Sequence, residues 1–166
     1  MKKIFLILFL LFTTPAQALS LVTPTLTGQI FDLEKMRGKV VIVNFWAEWC
    51  TTCWEEMAIL DEVYRERHSE GLEIIGISID RKKSLKNVLK RSAKVSYPNS
   101  MLVDATVNNF PEINKVPTTY LFDRDGKSQL VAFSEGKVLT TDDFANIFIP
   151  ALKKLIDTLL RQATGV

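Results

Sequence analysis

The sequence predicts an α/β domain built on a central mixed β-sheet with helices on both faces, and three observations lead to this prediction. Residues 40–46 form an apolar, β-branched run bounded by Gly38, which is typical of a buried strand. From Thr51 onward, apolar residues recur at helical spacing. A second apolar run at residues 72–79 follows this helix, and a strand–helix–strand order favours a parallel pair of strands with a right-handed crossover.

The N-terminal segment, residues 1–18, has the pattern of a secretory signal peptide. Lys2 and Lys3 precede an apolar run of nine residues, and residues 16–18 (Ala-Gln-Ala) offer small side chains for cleavage. We therefore expect cleavage after residue 18, export to the periplasm and one domain over residues 19–166. The apolar run has about half of the roughly 20 residues that span a bilayer, so an uncleaved membrane anchor is the weaker alternative.

Charge and composition give no indication of a nucleic-acid partner. The formal net charge of +2 is contributed by Lys2 and Lys3, so the chain that remains after cleavage is neutral. We find no internal repeat and no low-complexity tract. The composition is that of an ordinary domain with a sizeable core, and we expect a monomer.

Before the first helix, a lead-in at residues 19–27 precedes a loosely alternating segment at residues 29–33. After the strand at residues 72–79, a helix is predicted that starts between Asp80 and Ser84 and runs to about Lys94. Its inward-facing residues would be Leu85, Val88 and Leu89.

The C-terminal part begins with a hairpin signal, Asp125-Gly126, between strands at residues 118–122 and 129–133. A final amphipathic helix follows, with Thr140 or Thr141 as its cap. Pro150 inside that helix predicts a kink or a restart.

The chemistry of the chain is predicted at Cys50 and Cys53, its only cysteines. Cys50 lies where a strand gives way to a helix N-terminus, whose unpaired N–H groups and dipole favour a thiolate. The two-residue spacing suits thiol–disulfide exchange, with Cys50 as nucleophile and Cys53 as the buried resolving thiol. Half a zinc site would have only His68 as a further ligand, and a structural disulfide would close a very short loop, so both are weaker alternatives.

The dithiol lies within segments that resemble the thioredoxin-like superfamily, and most closely its TlpA/ResA-type thiol–disulfide oxidoreductases. The similarity covers most of the chain after Leu26, and residues from about Arg81 to Pro111 resemble an extra strand–helix insertion of that branch. The segments that carry the resemblance are Phe31-Asp32-Leu33, Arg37-Gly38-Lys39-Val40-Val41-Ile42-Val43-Asn44-Phe45-Trp46-Ala47-Glu48-Trp49-Cys50, Cys53 with Glu56, and Val116-Pro117-Thr118-Thr119-Tyr120-Leu121-Phe122-Asp123-Arg124-Asp125-Gly126-Lys127.

The resemblance implies a thioredoxin-like fold and a cis Val116–Pro117 bond packed against the dithiol. The backbone there would pair with a substrate strand, which favours recognition of backbone over sequence. We expect Trp46 in the core and Trp49 at the surface. The predicted substrate contacts are Trp49, Thr51, Thr52, Val116, Pro117 and Thr118. Two positions depart from thioredoxins: Asn44 replaces a buried aspartate, and Thr51-Thr52 lacks the usual proline.

Glu56 is the predicted proton-handling residue. It lies one helical turn after Cys53, at the border of the apolar face, where partial desolvation would raise its carboxyl pKa. The resembling branch has a glutamate at this position, and the amide of Asn44 cannot accept the proton. Glu56 is therefore the candidate for taking the Cys53 proton, and an ordinary solvated helix glutamate is the alternative.

We expect a periplasmic reductant of protein disulfides that needs no bound cofactor. As the resemblance implies, a membrane-embedded thiol reductase would supply electrons, and substrates would be apocytochrome c or other exported proteins. A disulfide-forming oxidant, a thiol peroxidase and a Cu(I)-binding chaperone are the alternatives. The peroxidatic motif is absent before Cys50, and no histidine or methionine is evident near the dithiol to support copper.

Two other features are better explained as solvated surface. The basic residues of the second helix would form its exposed face rather than a docking patch. His68, the sole histidine, would end the first helix near its negative pole. The basic residues are Lys82, Lys83, Lys86, Lys90, Arg91 and Lys94.

Overall fold

The computed structural model describes residues 18–130 and 149–162, which form a mixed α/β domain. The signal-peptide segment lies outside the described residues except for its last residue, Ala18. No helix in the described part of the chain is long and apolar enough to cross a bilayer. In chain order the strands and α-helices are β1 (Leu21–Pro24), β2 (Ile30–Asp32), β3 (Val40–Trp46), α1 (Thr51–Arg67), β4 (Leu72–Ser78), α2 (Leu85–Ser92), β5 (Asn99–Met101), β6 (Val107–Asn108), β7 (Thr118–Phe122), β8 (Ser128–Leu130) and α3 (Ile149–Arg161).

A five-stranded sheet in the order β5-β4-β3-β7-β8 forms the centre of the domain. Strand β3 pairs in parallel with β4 and antiparallel with β7, and in the latter pair Asn44 lies opposite Thr119. A second sheet, in the order β2-β1-β6, has three antiparallel strands. The parallel β3–α1–β4 unit confirms the predicted strand–helix–strand order.

The residues of β3 alternate between two apolar clusters on opposite faces of the sheet, and all seven are buried. Val40 and Ile42 pack with residues of α1 and α3, whereas Val41, Val43 and Phe45 pack with residues of β1, β2 and the loop before β7. Because successive side chains of a strand point to opposite faces, Asn44 belongs to the α1 side. This alternation fixes which polar group faces the helix.

Most sequence predictions for the elements are confirmed, and two differ. β3 and β7 have the predicted bounds, and Asp125-Gly126 turns between β7 and β8, with Gly126 at a positive φ of 76°. The lead-in contains a strand, β1, which is too short to show an alternating pattern. The prediction that Leu85 and Leu89 face inward is wrong: they are 36% and 43% exposed, because α2 reaches the core only through Val88.

Several predictions fall partly or wholly outside the described residues. These include the cap at Thr140 or Thr141 and the predicted strand beyond Leu130. The described part of the final helix begins at Ile149, so the kink or restart predicted at Pro150 depends on residues outside the described part. Leu152, Ile156 and Leu160 are buried, which confirms its amphipathic character.

Candidate active site

Cys50 lies at the point where the loop after β3 enters helix α1. It is the N-cap of the helix, and its Sγ accepts a hydrogen bond from the backbone N–H of Cys53 at 3.1 Å. The first turn of α1 contains no acidic residue. The positive end of the helix dipole is therefore free to stabilise a thiolate when the pair is reduced.

The two cysteines form a disulfide, so the structure represents the oxidised protein. Cys50 is 6% exposed and Cys53 is completely buried. An incoming sulfur can therefore approach Cys50 more readily than Cys53, because an in-line attack needs access to the attacked sulfur. The roles of Cys50 as nucleophile and Cys53 as resolving thiol stay predictions, which the trapping experiment below tests.

Two of the predicted substrate contacts, Val116 and Thr52, lie close to the Cys50 sulfur. The Val116–Pro117 bond is cis, as the resemblance implies, and the carbonyl oxygen of Val116 is 3.8 Å from the Cys50 Sγ. On the other side, the Oγ1 of Thr52 is 3.5 Å from that sulfur. Trp49 is 65% exposed beside it, whereas Trp46 is buried, as expected. Thr51 is exposed, and Thr118 and Pro117 are partly exposed, so these surfaces are accessible to a polypeptide.

Glu56 is completely buried beneath the dithiol, deeper than the sequence predicts. Its Oε1 accepts a hydrogen bond from the Thr119 hydroxyl at 2.8 Å, and its Oε2 accepts one from the Asn44 amide at 2.9 Å. Burial raises the pKa of Glu56 from 4.5 to about 7, against the two hydrogen bonds, which lower it. The carboxyl group can therefore gain or lose a proton near neutral pH.

Thr119 is a residue of this site that sequence analysis does not single out. It lies within the segment that carries the family resemblance, but its approach to Glu56 depends on the register between β3 and β7. No sequence signal specifies that register. The lone polar residue inside an apolar strand, Asn44, is the one available hint of a polar group facing α1.

Asp80 holds the loop that carries Cys50, whereas sequence analysis places it only at the start of the second helix. Its buried Oδ2 accepts hydrogen bonds from the backbone N–H of Glu48 and the hydroxyl of Ser78, both at 2.8 Å. The backbone N–H of Ile79 donates to the Trp46 carbonyl at 2.9 Å. The end of β4 therefore positions the loop that leads into the dithiol.

Asp80→Ala should destabilise the protein by about 2 kcal/mol, because it leaves two donors near Cys50 without their acceptor. Urea unfolding of the oxidised protein measures this change. Glu62→Ala is the control, since it removes an exposed ion pair with Lys153 and should cost less than about 1 kcal/mol. Equal losses in the two variants would contradict a role for Asp80 in anchoring the loop.

His68 and the basic residues of α2 lie where the sequence indicates. His68 follows α1 and is about half exposed, with its Nδ1 3.1 Å from the Leu72 carbonyl oxygen. The lysines of α2 and its flanks are exposed, and Lys82 forms an ion pair with Asp104. Arg91 instead stacks over the Trp54 ring, 3.3 Å from its centroid. Neither feature contacts the dithiol in the described contacts.

Comparison with known proteins gives a family and a set of relatives. Residues 14–130 match the model of the AhpC/TSA family. A thiol-disulfide oxidoreductase ResA of Bacillus cereus is 30% identical over 112 residues, which are 67% of this chain and 64% of the relative. The Bacillus subtilis ResA is 27% identical over 123 residues, or 74% of this chain and 69% of that protein. The chain thus spans roughly two thirds of the length of these relatives.

Solved structures agree on the fold. A thiol:disulfide interchange protein of the thioredoxin family from Chlorobium tepidum has a TM-score of 0.63 at 22% identity, with 89% of this chain and 97% of the other covered. A secreted Mycobacterium tuberculosis disulfide oxidoreductase has a TM-score of 0.58 at 19% identity, with coverages of 78% and 94%. Together with the match over residues 14–130, this similarity shows that the chain belongs to the AhpC/TSA family and has a thioredoxin-like fold.

Proposed function

We propose that this protein is a thiol–disulfide oxidoreductase that reduces disulfides in exported proteins of the bacterial cell envelope. The observation that carries the proposal is the Cys50–Cys53 disulfide at the N-terminus of α1, with one sulfur accessible beside the cis Val116–Pro117 bond. The activity named for the ResA relatives supports it. The signal-peptide pattern of residues 1–18 supports export to the periplasm.

The reaction would begin from the reduced protein. The Cys50 thiolate attacks one sulfur of a substrate disulfide, forms a mixed disulfide and releases the first substrate thiolate. Cys53 then loses its proton to the Glu56 carboxylate and attacks the Cys50 sulfur. This step re-forms the Cys50–Cys53 bond and releases the second substrate thiolate. The substrate gains two electrons, and a dithiol donor must return two to the protein.

Recognition would use the surface around the Cys50 sulfur. Trp49 offers exposed apolar area, and the Val116 carbonyl beside the sulfur can accept a hydrogen bond from the backbone of an extended substrate. Such a site suits unfolded or flexible polypeptides, for example an apocytochrome with oxidised cysteines. A membrane-embedded thiol reductase would supply the electrons, as the family resemblance implies.

The reduction potential distinguishes a reductant from a disulfide-forming oxidant. We expect a value nearer to the about −270 mV of thioredoxin than to the about −120 mV of DsbA. It is measured by equilibrating the purified protein in dithiothreitol or glutathione buffers and following alkylation of Cys50 and Cys53. A value near −120 mV, with oxidation of reduced substrate proteins, would reverse the proposed direction. Rapid consumption of peroxide by the reduced protein would instead favour a thiol peroxidase.

A further inference from the structure

Three completely buried polar side chains form a closed ring of hydrogen bonds next to the dithiol. They are Asn44 from β3, Glu56 from α1 and Thr119 from β7. The Asn44 amide donates to the Glu56 Oε2 and to the Thr119 Oγ1, each at 2.9 Å, and the Thr119 hydroxyl donates to the Glu56 Oε1 at 2.8 Å. Both carboxylate oxygens therefore have a donor from the sheet.

Strand pairing creates this ring. Asn44 and Thr119 are directly opposite each other in the antiparallel β3–β7 pair, so their side chains lie close together on one face. Helix α1 presents Glu56 to that face, one turn after Cys53. A carboxylate with donors on both oxygens is held in one orientation, and each donor favours its ionised form.

The surroundings of Glu56 contain no compensating cation in the described contacts. Burial raises the pKa of Glu56, and only the hydrogen bonds from Thr119 and Asn44 lower it. These two hydrogen bonds are therefore what opposes the cost of desolvating the carboxylate. The buried Tyr97 phenol interacts electrostatically with Glu56, and Cys53, whose thiol titrates once the disulfide is reduced, lies one turn before Glu56 on α1. Burial, with smaller contributions from Glu56 and Asp61, raises the pKa of Tyr97 well above 10, so this phenol stays neutral.

One acceptor of the trio has no partner. The Oδ1 of Asn44 is buried and has no hydrogen-bond donor. A trio that served only to fill the core would be more stable with apolar side chains, because an unpaired buried acceptor costs its full desolvation. The location of this costly polar trio one turn from Cys53 indicates a role in the chemistry of the dithiol.

We propose that Asn44 and Thr119 are positioning residues, which hold Glu56 ionised and oriented so that it can accept the Cys53 proton. The step breaks the S–H bond of Cys53 and forms an O–H bond on Glu56, and the resulting thiolate attacks the Cys50 sulfur. The proton leaves to solvent when the cycle restarts. This inference rests on the proposed function, since it assigns the residues that position the proton acceptor for resolution of the mixed disulfide.

Thr119→Val is the principal test, because it keeps the shape of threonine and removes its hydroxyl. We expect the midpoint of Glu56 protonation to rise by roughly one pH unit, a tenfold change in proton affinity. Infrared difference spectra across pH follow the protonated carboxyl band of the full chain, and Glu56→Gln identifies that band. Stopped-flow measurement of mixed-disulfide resolution gives the matching pH–rate profile, whose midpoint should move in parallel.

Three further variants separate positioning from a structural effect. Thr119→Ser should restore the wild-type midpoint, because it returns the hydroxyl. Asn44→Leu should raise the midpoint as Thr119→Val does, and it serves as the second test if the valine variant fails to fold. Thr23→Val also removes a buried hydroxyl, one that lies on β1 of the second sheet and is 2.6 Å from the Ser100 hydroxyl. This control should lose stability and leave both midpoints unchanged.

The outcomes distinguish this inference from the proposed function. An unchanged infrared midpoint in Thr119→Val and Asn44→Leu would overturn the positioning role, and so would equal shifts in Thr119→Val and Thr119→Ser. A shifted infrared midpoint with an unchanged pH–rate profile would overturn Glu56 as proton acceptor. Disulfide exchange through Cys50 would still stand in each of these cases, because it is measured by the exchange itself.

Discussion

Cys50→Ser should abolish thiol–disulfide exchange, whereas Cys53→Ser should accumulate covalent complexes with substrate proteins. The two sulfurs differ in access: Cys50 is 6% exposed at the N-cap of α1, and Cys53 is completely buried behind it. A serine at position 50 removes the attacking thiolate, and serine is no substitute at neutral pH. A serine at position 53 leaves the attack intact and removes the resolving thiolate.

The experiment traps partners in periplasmic extracts and separates them on non-reducing gels. We expect mixed disulfides with Cys53→Ser, none with Cys50→Ser, and release of the partners by dithiothreitol. A double Cys50→Ser/Cys53→Ser variant is the control for non-covalent association. Equal trapping by the two single variants would show that the roles of nucleophile and resolving thiol are assigned wrongly.

The fold and the dithiol could be predicted because their determinants are local in the sequence. The β-branched run of β3 is buried on both faces and so is apolar at all but one position. The dipeptide Asp125-Gly126 is by itself sufficient to specify the turn between β7 and β8. Only two residues separate Cys50 from Cys53 at a strand–helix boundary, so the proximity of the two sulfurs follows from this spacing alone. No long-range information is needed for any of these features.

The surroundings of Glu56 could not be predicted, because they depend on pairing between distant segments. Thr119 lies 63 residues after Glu56 and reaches it only through the β3–β7 register. Helical periodicity placed Glu56 at the border of the apolar face, whereas packing by α1 against the sheet buries it completely. For the same reason, the anchoring of the active-site loop by Asp80 is visible only in the folded chain.

Glu56→Gln should slow disulfide exchange by roughly 100-fold near pH 7, the usual contribution of a general base. The carboxylate has a pKa of about 7, so near neutral pH a large fraction is ionised and able to accept the Cys53 proton. Glutamine fills the same space but cannot take up a proton. The rise of the rate with pH that follows Glu56 ionisation should therefore disappear, and Cys53 would need a higher pH to lose its proton to solvent.

Glu56→Gln should also remove a pH dependence of stability that the wild type shows. The folded-state pKa of Glu56 is about 7 and its ordinary value is 4.5, so the folded state binds more protons between these values. The wild type should therefore lose stability as pH rises from about 4.5 to about 7, by at most on the order of 3 kcal/mol. Glu56→Gln should not show this loss, and above pH 7 it should be equally stable or more stable.

Urea unfolding of the oxidised protein at several pH values measures the difference in stability without titration of the cysteines. Stopped-flow exchange with the reduced protein measures the rates of disulfide exchange. Part of the gain in stability is offset, because glutamine offers one acceptor where Thr119 and Asn44 both donate. Glu55→Gln is the matched control: the adjacent Glu55 is exposed and should alter neither profile. If the wild type and both variants had the same pH–rate profile, Glu56 would have no part in the transfer of the Cys53 proton.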